Sequence, residues 1–189
     1  MEQTRLVDFG GWLFENRGWV PVPLLVFEIV VSENKAYWIA TGLLIMALGE
    51  VIRLWGVAHI GPISRTRKDE NGPLVSSGPY QWSRNPLYVG NVLMHAGLAA
   101  LTGQAWVVGI VGILVGTHYG LIVLWEENRL KSRLGARYDR YCGTVARWLG
   151  GRKKPIQRVG SWGRGLRSER STLMAMSACV LLVLGAGAL

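Results

Sequence analysis

Residues 78 to 90 read GPYQWSRNPLYVG. Two prolines, Arg84, Asn85 and two tyrosines crowd the point where a polar stretch gives way to an apolar one. Pro86 suits the first turn of a helix, where its missing N–H leaves no bond unmade. The run from Leu87 to Leu101 then reads as a membrane helix that borrows Pro86 as its start. A helix start needs none of the other residues, so the stretch carries more than a boundary.

The surrounding chain has the composition of a membrane protein. It has 189 residues, half of them hydrophobic, and its mean hydropathy is positive. Its net charge is +9. Apolar runs this long argue against a nucleic-acid binder and for reading the charge through its placement. A bilayer core about 30 Å thick takes roughly 20 apolar residues per helix. Residues 37–59, 87–101, 104–125 and 171–189 approach that length, and a shorter run at 20–31 includes Pro21, Pro23 and Glu28. The expected fold is therefore an all-α integral membrane protein with about five transmembrane helices.

Four regions follow. Residues 1–19, with Phe9, Trp12, Phe14 and Trp19 among charges, form an interfacial segment without the pattern of a cleavable signal. Residues 20–149 form a core of four helices plus an amphipathic segment. Residues 150–170 form a basic linker drawn to anionic headgroups, and residues 171–189 an additional transmembrane helix. Arg65, Arg67, Lys68 and Arg84 lie in one long loop and further basic residues run from Arg129 to Arg170, whereas the intervening loops carry only Lys35. The positive-inside rule then places the N-terminus and both basic loops in the cytoplasm and the C-terminus on the opposite side.

Within the core, Gly42, Gly49 and Gly56 recur every seven residues, and Gly109, Gly112, Gly116 and Gly120 every three or four. Both stripes predict close helix packing in lipid. Leu130, Leu134, Tyr138, Tyr141, Val145 and Leu149 recur at helical steps between basic residues. That pattern predicts an amphipathic segment broken at Gly135 and lying along the cytoplasmic surface. Cys142 and Cys179 fall in unlike segments and predict no disulfide, and no cluster of residues suggests a metal site.

Several ionisable residues stand where they are costly. Glu50 and Arg53 lie one turn apart inside an apolar run, as an internal ion pair or a functional group. Glu126 and Glu127 stand where the helix of 104–125 leaves the bilayer. Adjacent helical side chains point about 100° apart, so at most one faces a given ligand squarely. Arg129 and Lys131 are their nearest cations in sequence, and Tyr119 shares the Glu126 face. His59, His95 and His118 lie on three separate apolar segments and read as packing residues.

Gly78, Tyr80, then Arg84-Asn85-Pro86-x-Tyr88-x-Gly90, then Glu126-Glu127-x-x-Leu130 form an ordered set. This set resembles the integral-membrane methyltransferases of the isoprenylcysteine carboxyl methyltransferase and phospholipid N-methyltransferase type, over roughly Gly42 to Leu149. The resemblance implies S-adenosylmethionine as cofactor, held at the cytoplasmic helix ends by Gly78, Tyr80, Asn85, Pro86, Tyr88, Gly90, Glu126 and Glu127. Glycines and an interrupted backbone leave polar groups free for a ligand, which lipid tolerates only where they line a cavity. Tyr80, Trp82 and Tyr88 offer faces for adenine. The carboxyl methyltransferases usually carry histidine where this chain has Asn85, which tilts the acceptor toward a lipid amine.

The implied reaction transfers a methyl group to a lipophilic acceptor from the bilayer, a phospholipid amine or an isoprenylcysteine-type carboxylate. An amine must lose a proton, for which Glu50 or an interfacial Glu is the candidate base. A carboxylate wants a cation, for which Arg53, Arg84 and Arg129 are candidates. Two other readings stay open. The sterol reductases, which use NADPH, share an Arg-x-Pro-x-Tyr-x-Gly element and a tail like Tyr138, Tyr141, Cys142 and Val145. A non-catalytic membrane scaffold of the same fold would bind neither nucleotide.

Overall fold

A computed structural model describes residues 2–61, 74–150 and 160–188. Seven α-helices account for most of them: α1 (Glu2–Glu15), α2 (Val22–Val30), α3 (Ala36–Ile60), α4 (Pro86–Leu101), α5 (Ala105–Leu134), α6 (Ala136–Cys142) and α7 (Trp162–Ala186). A short 3-10 helix, Gly78–Gln81, precedes α4. The described residues contain no strand. The protein is an all-helical membrane protein. Three helical stretches are long and apolar enough to cross a bilayer: Ala36–Ile60, Ala105–Leu134 and Gly165–Ala186. Their outward positions fit a lipid surround, with Leu44, Ile113 and Leu181 each more than two-thirds exposed.

The span expected from residues 20–31 takes a different form. Prolines 21 and 23 sit at its start, and the helix runs for nine residues, about 14 Å at 1.5 Å per residue, which is too short to cross alone. It works in series with α1. Leu13 and Phe14 sit at one end of α5, where the Phe14 ring is 4.8 Å from Trp125. Phe27 meets Trp106 near the other end at 5.8 Å, and the Glu33 N–H donates to the Thr102 carbonyl at 2.9 Å. The segment expected at the interface is a helix packed lengthwise on α5, with Phe9, Trp12 and Trp19 exposed and Phe14 turned to Trp125.

The core lies between α3, α4 and α5. The first glycine stripe does what its spacing predicts. A Cβ on Gly49 would fall 2.7 Å from the Gly90 carbonyl oxygen, and one on Gly90 would fall 2.7 Å from that of Gly49. Apolar side chains gain little from leaving lipid for protein, so close backbone approach of this kind supplies the packing attraction. The second stripe behaves otherwise. A Cβ on Gly109, Gly112, Gly116 or Gly120 would meet nothing within 4 Å. The opposite face of α5, with Val107, Val111, Val115, Tyr119 and Ile122, is the one that packs inward.

Helix α7 begins at Trp162, nine residues before the expected Ser171, so the last part of the expected linker is helical. The extra turns bring Glu169 into the core, where it is almost fully buried. Farther along, Val183 packs with Met46, Leu98 and Leu101. The loop cations Arg65, Arg67 and Lys68 and the linker residues 151–159 lie outside the described residues.

Candidate active site

The site forms where α4 begins and α5 passes Trp125. Its first wall is the stretch from Gly78 to Gly90. Gly78 takes φ +60°, and a Cβ there would lie 2.5 Å from His59 Nε2. Both the left-handed backbone and the close ring call for glycine. This fixes the 3-10 turn on the end of α3, where Trp82 also meets Trp55 at 5.5 Å.

Tyr80 is buried beneath this turn. Burial, reinforced by Tyr141 and Glu126, pushes its phenol above the ordinary tyrosine value, so it stays neutral. Its hydroxyl has no hydrogen-bond partner among the described residues. Asn85 ends the turn, with its N–H donating to Ser83 Oγ at 3.1 Å, and Pro86 opens α4 as expected.

The second wall is Glu126 and Glu127. The two carboxylates diverge, as adjacent helical positions must. Tyr88 Oη donates to Glu126 Oε1 at 2.8 Å. Glu127 Oε1 lies 3.0 Å from Arg84 Nη2 and accepts from Asn85 Nδ2 at 3.4 Å. Glu127 Oε2 accepts from Arg147 Nη2 at 2.9 Å and Nε at 3.1 Å, a two-pronged pair. Tyr119 supports the arrangement, its ring 5.2 Å from that of Tyr88.

A cap closes over both walls. Gly135, at φ +51°, ends α5 and turns the chain back through α6. Tyr138, Tyr141 and Val145 pack together with Leu74, Leu130 and Leu134. Tyr141 Oη donates to the Tyr80 carbonyl at 2.7 Å, and its own phenol is raised by burial and so keeps that proton. The Arg84 N–H donates to the Ala146 carbonyl at 2.9 Å, and Asn85 Nδ2 donates to that of Arg147 at 3.1 Å. The segment expected to be amphipathic folds its apolar stripe onto the start of α4. Its apolar stripe was visible in the sequence; the surface it covers was not.

The four candidate reaction residues occupy different places. Arg84 stands inside the site on Glu127. Arg53 Nε lies 3.6 Å from Glu50 Oε2, the expected internal pair. Arg53 also hydrogen-bonds Asn91 Oδ1, and its Nη2 lies 2.6 Å from Glu169 Oε2. This buried network sits behind the site, against Gly90, whose Cβ would meet Arg53 Cγ at 2.5 Å. Arg129 lies outside, exposed, with its guanidinium 4.7 Å over the Trp125 ring. Lys131 pairs with Asp139 at 3.4 Å.

Sequence reasoning missed Arg147, Asn91 and Glu169. Arg147 reads as one cation in the basic run from Arg129 to Arg170, and Glu169 and Asn91 carry no signal of their own. It also missed Arg17, whose guanidinium lies 4.1 Å over the Phe14 ring, beside the Trp125 end of α5.

The family model for the phospholipid methyltransferases matches residues 37–137, more than half of the chain. The chain is 36% identical over 91 residues to the cobalt-zinc-cadmium resistance protein CzcN of Cupriavidus metallidurans, covering 48% of this chain and 39% of the relative. It is 30% identical over 127 residues to the nickel-cobalt-cadmium resistance protein NccN of Alcaligenes xylosoxydans xylosoxydans, covering 65% and 56%. It is 26% identical over 127 residues to protein-S-isoprenylcysteine O-methyltransferase B of Arabidopsis thaliana, covering 64% of each. The matched regions thus span 39% to 64% of these relatives' own lengths. No solved structure matches the chain significantly. The matched residues contain α3, α4, α5 and both walls of the site, and the chain belongs to the phospholipid methyltransferase family.

Proposed function

We propose that this protein is a membrane-embedded methyltransferase that uses S-adenosylmethionine and acts on a lipophilic acceptor. The observation that carries the reading is the meeting of Asn85 and Tyr88 with Glu127 and Glu126, across about forty residues, at one end of the bundle. Family membership and the likeness to an isoprenylcysteine methyltransferase support it.

The donor set fits the cofactor's chemistry. A zwitterionic, hydroxyl-bearing ligand needs carboxylate acceptors, an amide and buried polar groups left over for it. Glu126 and Glu127 offer the carboxylates, Asn85 the amide, and Tyr80 a buried hydroxyl with no partner among the described residues. When bound, the cofactor supplies an electrophilic methyl group on a sulfonium whose thioether is a good leaving group. The protein's contribution is then to orient, to exclude water and to favour positive charge. Glu126 would supply the carboxylate that favours positive charge on the cofactor, Arg84 and Arg147 hold Glu127 in place as a fixed acceptor, and Tyr88 holds Glu126. The cap excludes water through Tyr138, Tyr141 and Val145. Alignment of this kind accounts for a large share of rate in a displacement that needs little acid–base help.

Arg53 and Glu50, buried with Glu169, are positioning residues in this reading, and Arg84 is the cation nearest the reaction. Arg129 has no part in it. The metal-resistance names of two relatives describe those proteins and supply no chemistry for this chain. The site end is the cytoplasmic end in this reading, because the basic loops gather there.

Incubating membranes that contain the protein with methyl-labelled cofactor tests the proposal. Label is expected in the lipid-soluble extract in proportion to the protein. Unlabelled extract, together with binding of NADPH and not of the cofactor, would move the reading to a reductase.

A further inference from the structure

A cavity of about 240 Å³ lies between the start of α2, α4 and α5, away from the two carboxylates. Pro21 and Leu24 form one side, His95 another, and Leu114, His118 and Tyr119 the third. It adjoins the active site through one shared residue. Tyr119 lines the cavity on one side and lies tilted against Tyr88, ring centroids 5.2 Å apart, on the other, and Tyr88 holds Glu126.

His118 is the unexplained group here. It is 8% exposed, and neither ring nitrogen has a hydrogen-bond partner among the described residues. An imidazole buried without a partner costs free energy that a bound polar group would recover. Lipid cannot supply that group, since the hydrocarbon region has no hydrogen-bonding partners to offer. Leu114, half exposed, stands on the outer rim, so the cavity is reached from the membrane side.

We propose that this cavity binds the methyl acceptor, and that the acceptor is a single-chain lipophilic molecule with one uncharged hydrogen-bonding nucleophile, a thiol above all. The proposal rests on the methyltransferase reading and narrows its substrate. Size carries the first half. The cavity falls below the range of about 300–1,000 Å³ usual for drug-sized ligands, so it has room for one chain. Charge carries the second. Neither Lys, Arg, Asp nor Glu is among the described residues lining it. A carboxylate would be buried there without a cation, and an aliphatic amine, with a pKa of about 10.4, would be buried as an unpaired ammonium. An aliphatic thiol, at about 8.5, enters neutral at pH 7 and can hydrogen-bond His118.

Photolabelling in nanodiscs tests this. A long-chain alcohol carrying a diazirine at its tail should label peptides containing Leu24 and Leu114. Dodecanethiol should reduce that labelling at least tenfold at concentrations where dodecylamine and dodecanoate leave it nearly unchanged. Leu114→Trp, which fills the rim, should abolish labelling while leaving S-adenosylmethionine affinity at the wild-type value. His118→Phe should keep the labelling and lose the thiol's advantage. Labelling confined to other peptides, labelling unaffected by Leu114→Trp, or equal competition by the amine or acid would overturn the proposal. Calorimetry with S-adenosylmethionine on the same preparation separates the two claims. Cofactor binding without cavity labelling sinks this inference alone, and cavity labelling without cofactor binding sinks the methyltransferase reading.

Discussion

Tyr88 and Glu126, 38 residues apart in the chain, are joined by a hydrogen bond of 2.8 Å from the phenol to Glu126 Oε1. The bond ties the first turn of α4 to the later part of α5, and the Tyr119 ring lies behind it, tilted against that of Tyr88. Tyr88→Phe removes one bond to a buried carboxylate while keeping the ring. A hydrogen bond to a charged group is worth about 1.5–3 kcal/mol. The melting temperature should therefore drop by a few degrees, and cofactor affinity should fall as well because Glu126 loses the bond that fixes it. Binding and thermal melts on one preparation check it, and unchanged affinity would remove Glu126 from the site.

Glu127 holds two arginines, so its loss should differ from that of Glu126. Glu127→Gln leaves Arg84 and Arg147 facing an amide, and Arg147, with an exposed side chain, can turn to water. Arg84 cannot, since its side chain is only 11% exposed. The variant should lose both cofactor affinity and stability, while Arg147→Ala should lose affinity with a smaller stability cost. Denaturation curves beside binding isotherms separate these outcomes.

The buried Arg53–Glu169 pair should be structural. Removing one member of a buried pair costs about 3–5 kcal/mol when the other charge is left alone, and less here because Glu50 and Asn91 still face Arg53. Glu169→Ala should lower the melting temperature, and Glu169→Asp should recover part of it. A stable Glu169→Ala protein with altered turnover would instead give this network a direct role in the reaction.

Close approach of α3 and α4 should tolerate no side chain at Gly49 or Gly90. Overpacking a tight interface costs about 1–3 kcal/mol, so Gly49→Ala should destabilise by that amount. Gly112→Ala, on the open face of α5, should be neutral or slightly stabilising. Melting temperatures of the two variants in one detergent test the contrast.

The cap should loosen in alkali. Tyr141 has a folded pKa raised by burial above the ordinary value of about 10. A group raised in the folded state adds stability that is complete below its unfolded pKa and is lost as pH rises through the folded one. The tyrosinate absorbance of Tyr141 should thus appear above pH 10 and coincide with weaker cofactor binding. Tyr141→Phe should remove that step and cost about 1 kcal/mol at neutral pH.

Much of this was legible in the residues. Apolar length gave the helices, Pro86 the start of α4, seven-residue glycine spacing the α3–α4 contact, and the ordered motifs the pairing of residues 78–90 with Glu126 and Glu127. What escaped was long-range. Arg147 looks like any cation on an amphipathic segment until the chain folds back at Gly135 and sets it on Glu127. Glu169 reads as part of a basic linker because nothing local shows that α7 starts early enough to bury it against Arg53. The glycines of α5 show the limit of spacing alone: a stripe at three- and four-residue steps, which also predicts close packing, lies open there. Two prolines near residue 22 were visible, but that α1 and α2 share one path along α5 depends on contacts such as Phe14 with Trp125.

The central claim is that the walls around Asn85, Tyr88, Glu126 and Glu127 bind S-adenosylmethionine. Isothermal titration of the purified protein in nanodiscs tests it most directly. One equivalent should bind with micromolar affinity typical of enzyme ligands, and Glu127→Gln should weaken it at least tenfold while the helical circular dichroism signal is retained. A wild-type protein that is fully folded and binds none, or a Glu127→Gln variant that binds as tightly as wild type, would contradict it.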